Sequence, residues 1–132
     1  MSRKLLVGLR IVPMILVMGT IFILSAQSGD SLYLPPLPGV DKVAHALVYG
    51  ALAAATIFAF NARYKEKNCQ LVMVVTVLFC LCYGISDELH QSFVAGRSAS
   101  GLDVLADVCG AMLICLLWAG MWRTQRKVVI SR

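Results

Sequence analysis

The chain has 132 residues, of which 59% are apolar and only 14% charged, so a water-soluble globule of this composition would have too little polar surface to cover itself. Its formal net charge of +5 could suggest a nucleic-acid partner. The basic residues, however, stand in short groups beside apolar runs and form no long basic stripe, which excludes that class. Because each crossing helix needs about 20 mostly apolar residues, the composition predicts an all-α integral membrane protein of about four spans, with one domain over residues 1–132.

The first predicted span covers residues 5–26 and follows a short basic segment, a charge pattern that also begins a signal peptide. Cleavage near Ser25 is the alternative, but the apolar stretch is long for a signal peptide, which favours a retained helix. Pro13 should kink this helix or lie where neighbouring groups satisfy the carbonyl that it leaves free. Residues 27–40 contain several prolines, glycines and serines and predict an irregular linker.

Three further apolar runs predict spans over residues 43–60, 71–89 and 102–122, which together with the first make a four-helix bundle. A polar, basic loop around Lys65 separates the second and third spans, and a short loop containing Arg97 separates the third and fourth. Four of the five cysteines fall inside these spans. They therefore read as small buried hydrophobic residues and not as a disulfide framework.

The basic residues are distributed unequally between the two sides of this topology. With four spans, both termini and the Lys65 loop share one side, and ten of the twelve Lys and Arg residues lie there. Only Lys42 and Arg97 remain for the other side. The positive-inside rule therefore predicts a multi-pass inner-membrane protein with both termini in the cytoplasm.

The acidic residues show the opposite asymmetry. Both histidines fall on the predicted outer side together with six of the seven acidic residues, namely Asp30, Asp41, Asp87, Glu88, Asp103 and Asp107. An ionisable group at membrane depth costs at least about 2 kcal/mol, so such groups normally face the bundle interior and pair with one another. The outer end of the bundle is therefore predicted to hold a functional site or a buried polar network.

The second helix carries Asp41, His45 and Tyr49 at four-residue spacing, which places them on one face with Lys42 beside them. The simpler interpretation is that Asp41 caps the helix and Tyr49 is an interior aromatic with a bonded hydroxyl. Capping does not explain His45, one turn deeper, so the stripe is interpreted as part of a site.

The third helix ends in the string Ser86-Asp87-Glu88-Leu89-His90-Gln91. Adjacent residues of a helix diverge by about 100°, so only part of the string can face inward, and Glu88 and Gln91 are the favoured inward pair. A frayed, solvated helix end would account for the rest.

The fourth helix begins with a capping-box pattern in which Asp103 could serve only the helix start. Asp107 lies one turn further in on the same face, and Gly110 extends that face with a small residue where another helix could pack closely. Arg97, in the preceding loop, is the expected partner of these carboxylates or of an anionic headgroup, because its planar fork forms two hydrogen bonds.

Other chemistries receive less support from the sequence. His45, His90 and the carboxylates could converge on a metal, but the chain has no H-E-x-x-H motif and no paired cysteine ligands, so neither a metal nor a cofactor is expected. The serines of residues 96–101 resemble nucleophiles near histidines, but serines in a glycine-containing loop are far more often turn residues. The sequence contains no Walker loop and no dinucleotide fingerprint.

These polar groups, taken together, resemble the VanZ-like family. The matching strings, which follow in the family's order, are Asp41-Lys42-x-x-His45-x-x-x-Tyr49, Ser86-Asp87-Glu88-x-x-Gln91 and Gly96-Arg97-x-x-x-x-x-Asp103-x-x-x-Asp107-x-x-Gly110. The segment Ser25-Ala26-Gln27-Ser28 is also similar to one in the family. The resemblance implies an integral membrane protein of the cell envelope, related to one that confers low-level resistance to the lipoglycopeptide teicoplanin.

Three functions are compatible with these residues, and a structural scaffold with a closed polar cluster is the remaining alternative. The first is a protein that binds an anionic amphiphile at the outer leaflet, such as a lipid-linked wall precursor or a lipoglycopeptide. Its expected ligand-binding residues are Lys42, His45, Tyr49, Glu88, Gln91, Arg97, Asp103 and Asp107. The second is an intramembrane enzyme acting on a lipid-linked envelope substrate, with His45, Glu88 or Asp107 as the catalytic candidates. The third is a proton-coupled transporter, which with four helices would require a homo-oligomer.

Overall fold

A computed structural model describes residues 3–28 and 39–130, with side chains over 8–28 and 39–122 and at Thr124. Within these ranges the protein is all-helical and contains no strand. The helices are α1 (Arg3–Ser25), α2 (Val40–Ala59), α3 (Ala62–Lys67), α4 (Cys69–Gln91) and α5 (Gly101–Ile130). All but α3 are long and apolar enough to cross a membrane. The predicted four-helix, multi-pass membrane protein is therefore confirmed.

The helix bounds agree with the predicted spans to within three residues, except that α5 continues to Ile130, eight residues beyond the predicted end of the fourth span. Helix α1 continues through Pro13. Helix α4 reaches Gln91, two residues beyond its predicted end, so the polar string forms the last turns of a helix and not a frayed terminus. The sequence did not predict α3, whose first turn is capped by the Asn61 side chain accepting from the Tyr64 N–H at 2.8 Å. Most of the predicted irregular linker, residues 29–38, lies outside the described residues.

Helix α3 lies at the same end of the bundle as the first turns of α1. The pKa of Lys65 is lowered by partial burial and, to a smaller extent, by the nearby guanidinium of Arg10. Since α1 and α5 are the first and last of four alternating crossings, the beginning of α1 and the end of α5 also lie at this end. We call it the Lys65 end, and we call the opposite end, where α1 and α4 finish and α2 and α5 begin, the polar end.

Helices α2 and α5 form the closest pair in the bundle. A Cβ atom on Gly110 would collide with the backbone of Ala46, and one on Gly50 would lie 3.3 Å from Ile114 Cγ1 and 3.6 Å from the Gly110 carbonyl oxygen. At Gly110 only a residue without a side chain allows this backbone contact, because a Cβ there would force the helices apart. The sequence prediction that Gly110 permits close approach of another helix is confirmed.

The interior of the bundle is mainly apolar below the polar end, with Thr56 and Thr76 as its buried hydroxyl-bearing residues. Leu52 and Ala53 of α2 are fully buried and pack with Ile21 of α1, Cys80 of α4 and Ala111 of α5. Large apolar side chains on the outside of every long helix are exposed, as in the case of Leu47, which is 69% exposed. An outer surface of this kind is stable only in lipid, so the helices lie in a lipid environment.

Candidate functional site

The polar end brings together residues from all four long helices. Hydrogen bonds and ion pairs between side chains join α2 to α5, and others join α1, α4 and the loop before α5. We name two groups of residues. The carboxylate cluster consists of Asp41, Lys42, His45, Glu88, Asp103 and Asp107, and the Arg97 cluster consists of Ser25, Gln27, Asp87, Gln91 and Arg97.

Lys42 is the cation of the carboxylate cluster. Its Nζ lies 2.8 Å from Asp41 Oδ2 and 3.0 Å from Asp103 Oδ1, so it bridges the first turns of α2 and α5. Asp41 does not cap α2, because the N-cap residue is Gly39, in the left-handed region with φ of 84°, and no side chain bonds there. The helix-capping interpretation of Asp41 is therefore wrong, and Asp41 acts as an ion-pair partner.

His45 and Asp107 form the buried pair of the carboxylate cluster. His45 Nδ1 lies 2.9 Å from Asp107 Oδ1, and Asp107 has no exposed surface. The close approach of α4 requires Gly84, because a Cβ there would lie 2.8 Å from Asp107 Oδ2. Asp107 Oδ2 itself has no hydrogen-bond partner among the described residues. Asp107 therefore fixes the His45 ring through one oxygen and keeps the other free.

Glu88, near the end of α4, lies against the start of α5. Its Oε2 accepts the backbone N–H of Ser100 at 2.6 Å, the N–H that Asp103 would accept in a capping box. A carboxylate at this position is also stabilised by the N-terminal dipole of α5. Glu88 takes the N–H that a capping box would give to Asp103, and Asp103 instead accepts a hydrogen bond from Lys42. The interpretation of Asp103 as only a capping residue is therefore wrong. Glu88 is 5% exposed, and its Oε1 has no hydrogen-bond partner among the described residues.

Three potential metal-ligating side chains meet in this cluster. One ligand atom each from His45, Glu88 and Asp103 lies within 4.8 Å of the other two. The other histidine, His90, does not belong to this group and stacks on Phe22 of α1 with ring centroids 4.8 Å apart. The convergence of both histidines that the sequence left open is not formed among the described residues, although one histidine does meet two carboxylates.

Arg97 has different partners from those expected. Its Nη1 donates to Gln91 Oε1 at 3.1 Å, its Nη2 to the Leu24 carbonyl at 3.1 Å, and its Nε to the Gln27 carbonyl at 3.3 Å. None of these acceptors is a carboxylate, so the predicted pairing of Arg97 with Glu88, Asp103 or Asp107 is wrong. The predicted single network divides into two.

The Arg97 cluster includes two side chains that the sequence reasoning did not select. Asp87 is 6% exposed and its Oδ2 accepts from Gln91 Nε2 at 3.1 Å, while Ser25 Oγ lies 3.5 Å from the same nitrogen. Glu88 and Gln91 are buried as predicted, but so is Asp87. The signal for Ser25 and Gln27 was the segment that resembles the VanZ-like family.

A cavity of about 200 Å³ separates parts of the two clusters. Asp41, His45 and Tyr49 line it from α2, and Asp87, Gln91, Arg97 and Ser25 line it from the side of α1 and α4. Its remaining lining is apolar and is formed by Ile21, Leu24, Ala44 and Val48. Tyr49 is 1% exposed, and its hydroxyl has no hydrogen-bond partner among the described residues. The predicted interior hydroxyl bond of Tyr49 is therefore not formed within the described part of the protein.

The arrangement offers both unused acceptors and unused donors. The carboxylate oxygens of Glu88 and Asp107 can accept bonds, whereas Arg97 and the Tyr49 hydroxyl can donate them. The serine-nucleophile arrangement considered for the loop of residues 96–101 is not formed in the described structure, since no serine hydroxyl of that loop bonds a histidine. Ser100 contributes its backbone N–H instead.

Comparison with known proteins identifies the family. A family model described as VanZ/LLP1 matches residues 6–123, nearly the whole chain. No curated protein and no solved structure matches the chain. The matched range contains α2, α4, the polar residues of both clusters and the loop that carries Arg97. This four-span membrane protein therefore belongs to the VanZ-like family.

Proposed function

We propose that this protein is a single integral domain of the bacterial inner membrane, with its polar end at the outer leaflet, that binds the anionic headgroup of an amphiphile in the cavity between α1, α2 and α4. The ligand class is a lipid-linked wall precursor or a lipoglycopeptide. These share a charged or polar headgroup and a long apolar chain. Teicoplanin resistance would be one consequence of such binding.

The observation that carries this proposal is the cavity itself. Arg97 and Tyr49 line it together with five other polar residues, while most of the lining surface is apolar, and the Tyr49 hydroxyl has no hydrogen-bond partner among the described residues. A buried polar group without a partner costs about 1–3 kcal/mol, so the unbonded Tyr49 hydroxyl favours a water or a ligand group beside it. Ligand sites of proteins combine a mostly apolar lining with a few polar groups in the same way.

Arg97 has the capacity to contact an anion. A guanidinium carries five N–H groups, and the structure gives hydrogen bonds from three of its nitrogens, which leaves two N–H groups for a ligand. The three bonds to Leu24, Gln27 and Gln91 hold the guanidinium in place before the ligand arrives. Such preorganisation reduces the entropic cost of binding.

The size of the cavity limits what it can hold. Its volume of about 200 Å³ is below the roughly 300–1,000 Å³ of a pocket that encloses a drug-sized ligand. It can therefore take a phosphate with part of a sugar or peptide, while the apolar chain lies against the exposed faces of the helices in the lipid.

A cavity-filling substitution tests the proposal. The protein in lipid nanodiscs is titrated with a polyprenyl phosphate, with the matching uncharged polyprenol and, separately, with teicoplanin. Ala44→Phe places a ring in the cavity, whereas Ala54→Phe places one on the exposed face of the same helix. We expect Ala44→Phe to weaken binding of the charged probe at least tenfold and Ala54→Phe to leave it unchanged. Equal affinity for the phosphate and the polyprenol, and no binding of teicoplanin, would overturn the proposal.

Orientation is tested independently. We expect reporters fused to both termini and inserted in the Lys65 loop to be cytoplasmic, because ten of the twelve basic residues lie on that side. An external carboxyl terminus would place the cavity at the inner leaflet and exclude extracellular ligands.

A second candidate function is an intramembrane enzyme. The specific observation in its favour is that His45 lines the cavity and is oriented by Asp107, as a general acid-base histidine would be. Time-dependent conversion of the bound lipid-linked probe, abolished by His45→Asn, would favour this function. Recovery of the probe unchanged after prolonged incubation would favour binding alone.

A further inference from the structure

The polar end has more carboxylates than cations. Among the described residues, five carboxyl groups belong to the two clusters, those of Asp41, Asp87, Glu88, Asp103 and Asp107, and only Lys42 and Arg97 carry a permanent positive charge there. Buried negative charge requires a compensating partner. An anionic headgroup would add to the imbalance. A further cation would remove it.

The carboxylate cluster has the right atoms for such a cation. Ligand atoms of His45, Glu88 and Asp103 converge within 4.8 Å, one nitrogen and two oxygens from three different helices. A metal bound at about 2.0–2.2 Å from each ligand needs ligand atoms roughly 3–3.5 Å apart, so the three side chains would close by about an ångström or a little more on binding. Side-chain rotation can supply a movement of that size.

A second, independent observation points into the same place. Glu88 is more than nine-tenths buried, and one of its oxygens has no hydrogen-bond partner among the described residues. Its other oxygen is held by the Ser100 N–H, so the side chain is fixed while the unbonded oxygen stays available. Most buried polar atoms of native proteins find a partner, and a bound ion is one explanation for an exception.

The His45–Asp107 pair has the form of a metal ligand and its support. Histidine ligands usually donate one ring N–H to a carboxylate, which fixes the ring and leaves the other nitrogen for the metal. His45 Nδ1 lies 2.9 Å from Asp107 Oδ1, so proton donation from Nδ1 leaves the lone pair of Nε2 free. Lys42 holds Asp103 through Oδ1, which leaves Asp103 Oδ2 for the ion.

The geometry points to a divalent-cation site formed by His45, Glu88 and Asp103, with Asp107 as the residue that positions His45. One imidazole and two carboxylates suit a hard or intermediate ion such as Mn²⁺, Fe²⁺ or Zn²⁺, whereas a soft ion would require thiolate ligands. Three protein ligands leave coordination positions open. The inference deepens the proposed function, because the ion would offset the carboxylates and give the anionic headgroup a second positive contact beside Arg97.

Metal binding is measured on the full-length protein in nanodiscs. After treatment with EDTA and its removal, the protein is titrated with Mn²⁺, and free Mn²⁺ is followed by electron paramagnetic resonance. We expect one ion per chain, and at least tenfold weaker binding in Glu88→Gln, Asp103→Asn and His45→Asn. The inference would be overturned if the wild type bound no ion up to about 1 mM Mn²⁺, or if all three variants bound Mn²⁺ with wild-type affinity.

Two matched controls accompany these variants. Glu66→Gln repeats the Glu-to-Gln change at a residue of α3, at the Lys65 end of the bundle. His90→Asn repeats the His-to-Asn change at the histidine that stacks on Phe22. Both should bind Mn²⁺ with wild-type affinity. Asp107→Asn should bind about tenfold more weakly while retaining the three ligands, because loss of a supporting partner typically costs 10–100-fold in metal affinity.

A spectroscopic measurement on the wild type avoids dependence on variant folding. Pulsed paramagnetic resonance of the Mn²⁺-loaded protein should detect one directly bound histidine nitrogen, and the signal should persist in His90→Asn. A Mn²⁺ ion coordinated without nitrogen would exclude His45 as a ligand and overturn the proposed set.

Lipid titrations with and without the ion separate this inference from the proposed function. We expect polyprenyl phosphate to bind at least tenfold more weakly in EDTA than in Mn²⁺, and the polyprenol to bind equally in both. Binding of the phosphate unaffected by EDTA would overturn the metal's role and leave the proposed function standing. Binding of Mn²⁺ by a protein that binds none of the amphiphiles would instead overturn the proposed function and leave the ion site.

Discussion

The two polar clusters lie at the same end of the bundle but are built in opposite ways. In the carboxylate cluster, acids outnumber their partners, and one oxygen each of Glu88 and Asp107 has no hydrogen-bond partner among the described residues. In the Arg97 cluster, a guanidinium is held by two backbone carbonyls and the Gln91 amide, all of them uncharged acceptors. The first cluster therefore has carboxylate oxygens that accept no hydrogen bond, and the second has guanidinium N–H groups that donate none.

This difference teaches how one site can bind groups of opposite charge. A guanidinium paired with carboxylates would be neutralised, whereas one held by carbonyl oxygens keeps its full charge for a ligand. Carboxylates left partly unpaired can likewise bind a cation. The cavity is bordered by both clusters, since Asp41 and His45 line it from the carboxylate cluster and Arg97 lines it from the other.

The largest expected effect concerns the helix contact that brings the acid-bearing helices together. Gly110→Ala places a Cβ against the backbone of Ala46, which cannot rotate away. We expect α2 and α5 to separate and the free energy of unfolding in detergent to fall by more than about 3 kcal/mol. The Lys42–Asp103 and His45–Asp107 pairs should be lost with it, whereas the Arg97 cluster on α1 and α4 should be less affected.

Gly120→Ala is the matched control on the same helix. A Cβ at Gly120 meets nothing within 4 Å, so alanine should stabilise the helix by roughly 0.5–1 kcal/mol through its higher helix propensity. Thermal unfolding of both variants provides the measurement. Equal behaviour of the two alanines would contradict the close α2–α5 contact.

The fold could be predicted from the sequence because hydrophobicity over a membrane-length window is a strong signal. Helices α1, α2 and α4 fall at their predicted places within a few residues, α5 begins as predicted but continues eight residues beyond residue 122, and the one missed helix, α3, has only six residues. A helix this short depends on its cap and on neighbouring structure more than on its own sequence pattern.

The candidate site was harder to predict, and Asp87 shows why. Adjacent residues on a helix diverge by about 100°, so we expected only one of Asp87 and Glu88 to face inward. The end of α4, however, lies between two sets of neighbours: Glu88 bonds to the start of α5, while Asp87 lines the cavity toward α1 and α2. A helix packed on two sides buries more than one face, and a single sequence does not reveal how many neighbours a helix has.

The prediction that Arg97 pairs with carboxylates is wrong for a different reason. The loop before α5 contains Gly96 in the left-handed region, with φ of 75°, and directs Arg97 toward the end of α1. Charge complementarity in the sequence favoured the carboxylates, but the backbone of the loop decides which acceptors a side chain can reach. Loop geometry of this kind cannot be derived from residue types alone.

The second expected effect compares two aspartates of the carboxylate cluster. Asp107→Ala removes a fully buried carboxylate and leaves the partly buried His45 ring without its partner, and we expect a loss of about 2–3 kcal/mol in unfolding free energy. Asp41, whose side chain is 50% exposed, pairs with Lys42 at the surface, so Asp41→Ala should cost less than about 1 kcal/mol. Comparable losses in denaturation titrations would mean that the two ion pairs do not differ in burial as described.

The third expected effect concerns the spare donors of Arg97. Arg97→Lys keeps the charge but cannot maintain bonds to Leu24, Gln27 and Gln91 at once, and we expect polyprenyl phosphate to bind at least about tenfold more weakly. Lys65→Ala, at the other end of the bundle, should not alter binding. Protein levels in the membrane must match. A normally folded Arg97→Lys protein with unchanged affinity would exclude bidentate recognition by Arg97 and move the anion site to Lys42 and His45.

The smallest expected effect tests whether the two clusters are energetically separate. In a double-mutant cycle, Arg97→Ala and Gln91→Ala should be coupled by about 0.5–1 kcal/mol, since their side chains share a hydrogen bond of 3.1 Å. Arg97→Ala and Asp107→Ala share no partner, so their effects on unfolding free energy should add to within about 0.5 kcal/mol.

The sign of any departure from additivity is informative. If Arg97 and Asp107 formed one network, as charge complementarity alone suggests, removing both would cost less than the sum of the single changes, because the second removal would act on a pair already broken. Additive effects mean that α4 holds two independent sets of bonds, one toward α5 through Glu88 and one toward α1 through Gln91. Repeating the cycle with Mn²⁺ and polyprenyl phosphate bound should then produce coupling between Arg97 and Asp107, because only the bound ligands connect them.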